Sequence, residues 1–412
     1  MSKFVKLSSI AELTVGFVGT MAKHYEDEGI PFLRSLNIKP FKIISDDMKY
    51  VSAEFSNSLS KSILHKGDVV IVRTGIPGTC CVVPAEYDGC NCSDVVIVHP
   101  NTELVNPHYL AAYINFWGQR QIQNNKVGAI QQHFNVHSAE EMLIFLPDIT
   151  EQEKIAKTIV ALNGKIENNF SVCVELEAMA KTLYDYWFTQ FDFPNENGKP
   201  YCSSGDEMVW NDQLKREIPK GWTPGTISSL MKIENTSVNP QKLGNALMEH
   251  YSIPAFDANH NPAYEEAGTI ESGKYVVDPE CILTSKLNPH FKRLWDPYCD
   301  TENAICSTEF IVYRPRTAWT RPFCYAVLNS EAFYAHMVGK ATASTGSRKR
   351  IQPDVSASFE LAIPDEKTMR AFVELYAPIM EKQKALYKEN CELTKLRDWL
   401  LPVLMNGQAT VE

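Results

Sequence analysis

The chain has 412 residues, 44% of them hydrophobic and 22% charged, and its 40 Lys and Arg against 50 Asp and Glu leave a formal net charge of -10. That apolar content excludes disordered, collagen-like and fibrous classes, and the length predicts two or three domains. A molecule repelled by phosphate as a whole can contact nucleic acid only through local basic patches.

The N-terminus reaches Lys6 and Glu12 without an apolar signal run, and no stretch approaches the roughly 18 consecutive apolar residues of a membrane span. The expectation is a soluble, cytoplasmic protein with no membrane partner. The 11 cysteines are odd in number and scattered, which fits reduced thiols better than a disulfide framework. The densest group, Cys80, Cys81, Cys90 and Cys92, lacks the spacing of a zinc knuckle and reads as buried free thiols, so no metal is expected.

Taken in order, Val69 to Thr74 (VVIVRT) reads as a strand opening into a loop, and Cys92 to Val98 as a second strand. A loop follows over Gly128 to Phe134, and Pro147-Asp148 then opens a long helix for which Thr150 and Glu153 form a capping box. Apolar or small residues recur along it at steps of four and three: Ile155, Ile159, Leu162, Ile166, Cys173, Leu176, Ala180, Leu183 and Trp187, with Asn169 the polar exception. That is a coiled-coil seam. The helix ends in an aromatic cluster (Tyr184, Tyr186, Trp187, Phe188), and residues 191–222, rich in Pro, Gly, Asn and Ser, read as a linker.

Beyond the linker the pattern returns. Thr226-Ile227-Ser228-Ser229-Leu230 matches Lys6-Leu7-Ser8-Ser9-Ile10. Cys281 to Leu287 has the shape of VVIVRT, placing Lys286 on Arg73 at an offset of 213, and Cys306 to Val312 repeats Cys92 to Val98 at an offset of 214. Pro364-Asp365 falls on Pro147-Asp148 at an offset of 217, unchanged where Leu393 meets Leu176 and Leu400 meets Leu183. The second seam runs Phe372, Tyr376, Ile379, Gln383, Leu386, Asn390, Leu393, Arg397, Leu400 and Leu404, and stops before Asn406-Gly407. Polar seam residues cost stability but fix register. A constant offset means no insertion separates the copies here, as a spacer requires; at about 1.5 Å per residue such a helix is roughly 57 Å long. Two rods of equal length should pair, and an antiparallel pairing would give a pseudo-twofold axis.

The two-copy layout, the equal spacers and above all the central stretch FDFPNENGKPYCSSGDEMVWN followed by EIPKGW resemble the specificity subunit of Type I restriction-modification systems. The resemblance covers essentially the whole chain. It implies a mixed α+β protein with two tandem target-recognition domains, 1–148 and 223–364, a central spacer helix over 149–190, a linker over 191–222 and a distal spacer helix over 365–408. Each domain would read one half of an asymmetric, bipartite double-stranded DNA target. The spacers would set the gap and bind two modification (methyltransferase) subunits, which carry S-adenosylmethionine and methylate adenine. A restriction (motor-nuclease) subunit would complete the restriction complex, and this chain would be noncatalytic, with no cofactor of its own.

Members of that family tend to carry a Gly-rich segment with Gln or Arg close to DNA where this chain has Gln131, Gln132 and His133, which fall on Arg348, Lys349 and Arg350, with Ser347 beside them. Gln suits adenine and Arg suits guanine in the major groove; the plainer reading is a solvated turn. A second group, Arg73 and Thr74 in one copy and Lys286, Asn288, Lys292 and Arg293 in the other, follows apolar strands and suits phosphate, with simple surface charge as the rival.

An enzyme reading rests on thinner signals. Asn106-Pro107-His108-Tyr109 and Asn288-Pro289-His290-Phe291 superficially resemble an amino-methyltransferase motif but have His for its second Pro and occupy unequal places in the repeat. Asp148, Glu153, Asp365 and Glu366 crowd helix starts, where acids cap amides rather than converge on a metal. No HExxH, G-x-S-x-G or Walker A pattern is present. The alternatives to a DNA-reading scaffold are thus a self-sufficient DNA methyltransferase or nuclease, which would act alone, and a repeat-built interaction scaffold, which would show no selective DNA binding even with partners.

Overall fold

The computed structural model describes residues 3–118, 121, 134–345 and 348–408. They form two compact units, one of the residues up to Glu167 with those from Leu393 onward, the other of Asn168–Glu392. Each unit therefore takes in stretches of both long helices.

In the first unit a four-stranded antiparallel sheet runs in the order Ala11–Val15, Val95–Pro100, Val69–Val72, Cys80–Val82. Val69–Val72 and Val95–Val98 are buried throughout, because both faces of the sheet are covered and β-branched side chains fill them. One face packs on helix Pro107–Tyr113, on Ile155 and Ile159 of the first long helix, and on Leu401, Leu404 and Met405 of the second. The other packs on Leu33, Ile38 and Leu64. Ile30–Leu33 pairs with Lys49–Val51 and, in parallel, with Asn91–Cys92. Lys3–Lys6 pairs with Leu143–Leu146, the strand that leads into the long helix.

The second unit repeats this topology. Its sheet runs Met231–Ile233, Phe310–Pro315, Ile282–Ser285, Leu294–Trp295; Leu247–Tyr251 lies parallel to Ala304–Ser307; and Thr223–Thr226 pairs with Glu360–Ile363. The sequence offsets mark equivalent elements: Val69–Val72 and Ile282–Ser285 differ by 213, while Leu143–Leu146 and Glu360–Ile363, and helices Val136–Glu140 and Pro353–Ala357, differ by 217.

The long helices span Ile149–Tyr184, continued by a wider π turn over Asp185–Thr189, and Glu366–Met405. Their caps correct the capping-box expectation at Thr150. Asp148 Oδ1 accepts from the Glu151 amide at 3.0 Å, so Thr150 lies inside the first turn. Asp365 repeats the device, with Oδ1 accepting from the Thr368 amide at 3.0 Å and Oδ2 from its hydroxyl at 2.8 Å. Carboxylates there satisfy orphan amides and face the positive end of the helix dipole. At the far end Gly407, with φ 73°, donates to the Leu404 carbonyl at 3.4 Å.

In the second unit the helices run antiparallel: Asn169 meets Asn390, Cys173 meets Gln383 and Trp187 meets Phe372. In the first unit Asn163 accepts from Arg397 at 3.0 Å. The polar seam residues answer one another. Asn169, 1% exposed, donates to Asn390 Oδ1 at 2.9 Å and Glu389 Oε2 at 2.8 Å, and Gln383 donates to the Cys173 carbonyl at 3.2 Å. Of the expected seam, Ile155, Ile159, Ile166 and Leu386 are buried, whereas Leu162, Leu176, Leu183, Ile379, Leu393 and Leu400 are half-buried. Met380, Cys391 and Leu401, one position on from expected seam positions, are buried. A helix of 3.6 residues per turn drifts against a strict heptad in this way.

Residues 191–222 are folded rather than a linker. Met208–Asn211 pairs with Arg216–Pro219, and Phe191, Phe193, Ile218 and Trp222 enter the core of the second unit. Phe193 stacks between Tyr201 and Trp222, with centroids at 4.7 and 5.1 Å. Its aromatic side chains outweigh its turn-rich composition.

Candidate nucleic-acid interface

In each unit the loop joining the third and fourth strands of the main sheet begins on a cation, Arg73 in one and Lys286 in the other. Both loops are tied to the residue that follows the expected base-reading segment. Arg73 Nε donates to the Phe134 carbonyl at 3.2 Å, and the Lys286 carbonyl accepts from the Ile351 amide at 3.1 Å. Phe134 and Ile351 are equivalent in the repeat and both buried. Gln131, Gln132, His133 and Ser347 lie outside the described residues.

In the second unit two candidate groups some 60 residues apart in sequence meet. Arg348–Arg350 forms one strand of a hairpin with Thr342–Thr345. Asn288, held at φ 48°, donates its amide to the Lys349 carbonyl at 2.8 Å, and its side chain accepts from the Lys349 amide at 3.0 Å. A positive φ is tolerable for Asn because its short polar side chain bonds locally. The clasp fixes the strand while the Arg348 and Lys349 side chains remain exposed.

Other cations are held by carboxylates of their own unit. Arg350 pairs with both oxygens of Glu309, at 2.8 and 3.0 Å, and this hydrogen bonding holds the Glu309 carboxyl below the usual range. Arg293 is bound through two nitrogens to Asp257 at 2.7 and 2.8 Å. Lys292 lies 3.4 Å from Glu177 of the first long helix and 5.6 Å from the Tyr334 ring centroid. Arg293 and Lys292 thus brace the loop on its own unit. In the first unit Thr74 donates to Asp94, itself at φ 57° and bonded by Ser35 at 3.0 Å. Sequence reasoning missed the carboxylates Glu309, Asp257, Glu177 and Asp94, since an acid on a surface helix or turn carries no signal of the cation it will meet.

The groups considered for catalysis have structural roles. Asn106 Oδ1 caps helix Pro107–Tyr113 by accepting from the His108 and Tyr109 amides at 2.9 and 3.2 Å, and Tyr109 is fully buried with its hydroxyl on the Phe145 carbonyl. Cys80, Cys81, Cys90 and Cys92 are buried, and burial pushes the Cys90 thiol up to about 12, so it stays protonated. Among the described residues no group of three or more His, Cys, Asp or Glu is placed to hold a metal ion, and no helix is long and apolar enough to cross a membrane.

One sheet domain is thus built twice, each copy carrying a loop that begins on a cation and packing on segments of both long helices. Comparison with known proteins finds similarities to one family. Residues 2–177 match the Type I restriction modification DNA specificity domain. It is 26% identical over 288 residues to the Type I restriction enzyme MjaIX specificity subunit of Methanocaldococcus jannaschii, an alignment spanning 66% of this chain and 62% of that one. It is 22% identical over 430 residues to the HindI specificity subunit of Haemophilus influenzae, spanning 87% and 91%. Among solved structures, the S subunit of a Type I restriction-modification system from M. genitalium shares the fold, with a TM-score of 0.59 at 14% identity over 98% of this chain and 96% of that one.

Proposed function

We propose that this chain is the noncatalytic specificity subunit of a Type I restriction-modification complex. It reads an asymmetric, bipartite double-stranded DNA target, one half with each unit, and positions adenine methyltransferase subunits on it. Two modification subunits dock on the long helices and bring S-adenosylmethionine; this chain carries no cofactor. Restriction subunits join the same assembly, and its place of work is the cytoplasm.

The observation that supports this reading best is that one fold occurs twice with unlike cationic loops, Arg73-Thr74 in one copy and Lys286 with the Arg348–Arg350 strand in the other. Equal scaffolds with unequal edges suit unequal half-sites. The test is partner dependence, with methyl transfer and duplex binding measured for the chain alone, the cognate modification subunit alone, and both. Transfer and selective binding are expected only from the pair. Methylation or cleavage by the chain alone would make it a self-sufficient enzyme, and absence of selective binding by the pair would leave an interaction scaffold.

A further inference from the structure

The loops that follow Arg73 and Lys286 share a second feature that their cations do not explain. Each raises one large apolar side chain into solvent: Ile76 is 70% exposed and Phe291 is 54% exposed. Both sit on the connection between the same two strands of the repeated sheet, Val69–Val72 to Cys80–Val82 and Ile282–Ser285 to Leu294–Trp295. Exposing a β-branched or aromatic side chain at a loop tip costs the free protein hydrophobic free energy. One such residue on a surface is ordinary, but recurrence on the equivalent loop in two copies whose sequences have diverged is not.

The backbone presents both side chains on tight turns. Gly75 and Gly78 stand at φ 82° and 91° on either side of Ile76, and Pro77 follows it. Phe291 closes a turn that begins at Asn288, its amide donating to the Asn288 carbonyl at 2.9 Å. The Arg293 guanidinium, fixed by Asp257, lies 5.0 Å from the centroid of the Phe291 ring. Arg293 covers one ring face and the His290 ring, 4.2 Å away between centroids, crowds the ring further, while just over half of the side chain stays open to solvent. Full insertion between two base pairs needs both faces bare, whereas contact with a methyl group needs only an edge or one face. The same loops carry Arg73 and Lys286, and Asn288 is clasped to Lys349. These cations draw the tips toward phosphate, and the polar side chains of Thr74 and Asn288 are occupied in holding the loops.

We infer that Ile76 and Phe291 are equivalent specificity-determining contacts, each packing against the C5-methyl group of a thymine in the major groove of its own half-site. The inference rests on the proposed DNA-reading function. Apolar contact with that methyl distinguishes thymine from the other bases without a hydrogen bond. An aliphatic tip in one copy and an aromatic tip in the other differ in reach, which adds to the asymmetry of the target.

The test uses the full chain assembled with its modification subunit and a duplex carrying the sequence that the complex methylates. In a series of such duplexes each thymine in turn is replaced by deoxyuridine, which removes only the methyl. Competition binding at one salt concentration should show about a fourfold loss at one position in each half, the size expected for one buried methyl group. Phe291→Ala should abolish the effect in one half and leave it in the other, and Ile76→Ala should do the reverse; binding to non-specific duplex reports that the variants fold and assemble. Selective binding that is insensitive to every deoxyuridine, or sensitivity that survives both variants, overturns the inference while leaving DNA reading intact. Loss of affinity in the variants without loss of methyl sensitivity assigns the tips to wedging or scaffolding and equally overturns it. Binding without sequence selectivity in the unsubstituted complex sinks the underlying reading instead.

Discussion

The two sheet units differ least where they are buried and most where they meet solvent. The order of the four-stranded sheet, the parallel pair and the strand leading into each long helix are the same in both, although the sheet holding the parallel pair has three strands in the first unit and five in the second. Their loops are not: the first unit ties Thr74 to Asp94, whereas the second clasps Asn288 to a basic strand and pairs Arg350 with Glu309. A close-packed core tolerates few changes of volume, while a loop held by a handful of hydrogen bonds can change its chemistry freely. The scaffold is therefore the shared part of the molecule and the solvent-facing loops its individual part.

Four perturbations break or sharpen that contrast, the strongest first. Inserting one heptad into the first long helix alone removes the constant offset of 217 between Pro147-Asp148 and Pro364-Asp365. The expected result is loss of assembly with the modification subunit, seen by size-exclusion chromatography, or a changed gap in the recognised target; an unaltered gap would contradict the spacer role. Replacing Arg348, Lys349 and Arg350 together by Ala should weaken DNA binding by about ten- to a hundredfold at low salt and flatten the salt dependence by about two to three charges. Subunit assembly should be intact, and unchanged affinity across a salt titration would remove these residues from the interface.

Within the scaffold, Asn169→Leu removes the donor of a buried hydrogen bond to Asn390 and a half-buried one to Glu389. A urea midpoint shift worth about 1 to 3 kcal/mol is expected, partly recovered when Asn390→Leu is added. The smallest effect concerns Glu309. Its carboxyl is held low in the folded protein, so the Arg350 pair stabilises at neutral pH and fades as pH falls through the depressed folded value. Glu309→Gln should flatten that acid dependence slightly in thermal melts and leave neutral stability within a few tenths of a kcal/mol.

The repeat and the helix seam were legible because they rest on spacing, and spacing survives drift in residue identity. The helix caps were half legible: Asp148 and Thr150 both suit a cap and stand two residues apart, and the strand ending at Leu146 decides between them by setting where the chain turns. The stretch 191–222 misled because turn residues dominate its composition while Phe191, Phe193 and Trp222 dominate its energetics. At the site, the cations could be picked out as a class. Their partners could not, since Glu309 to Arg350 and Asp257 to Arg293 are contacts made by folding. Ile76 and Phe291 stayed hidden for a different reason, because an apolar residue in a loop looks like core until its exposure is known.

The central claim is that one chain supplies two unlike readers at fixed separation. It is tested most directly by long-read modification sequencing of DNA from cells expressing the cognate modification subunit with and without this chain. The account predicts methyladenine only when the chain is present, in two different half-motifs at constant spacing. Methylation by the modification subunit alone, or none with both present, would contradict it.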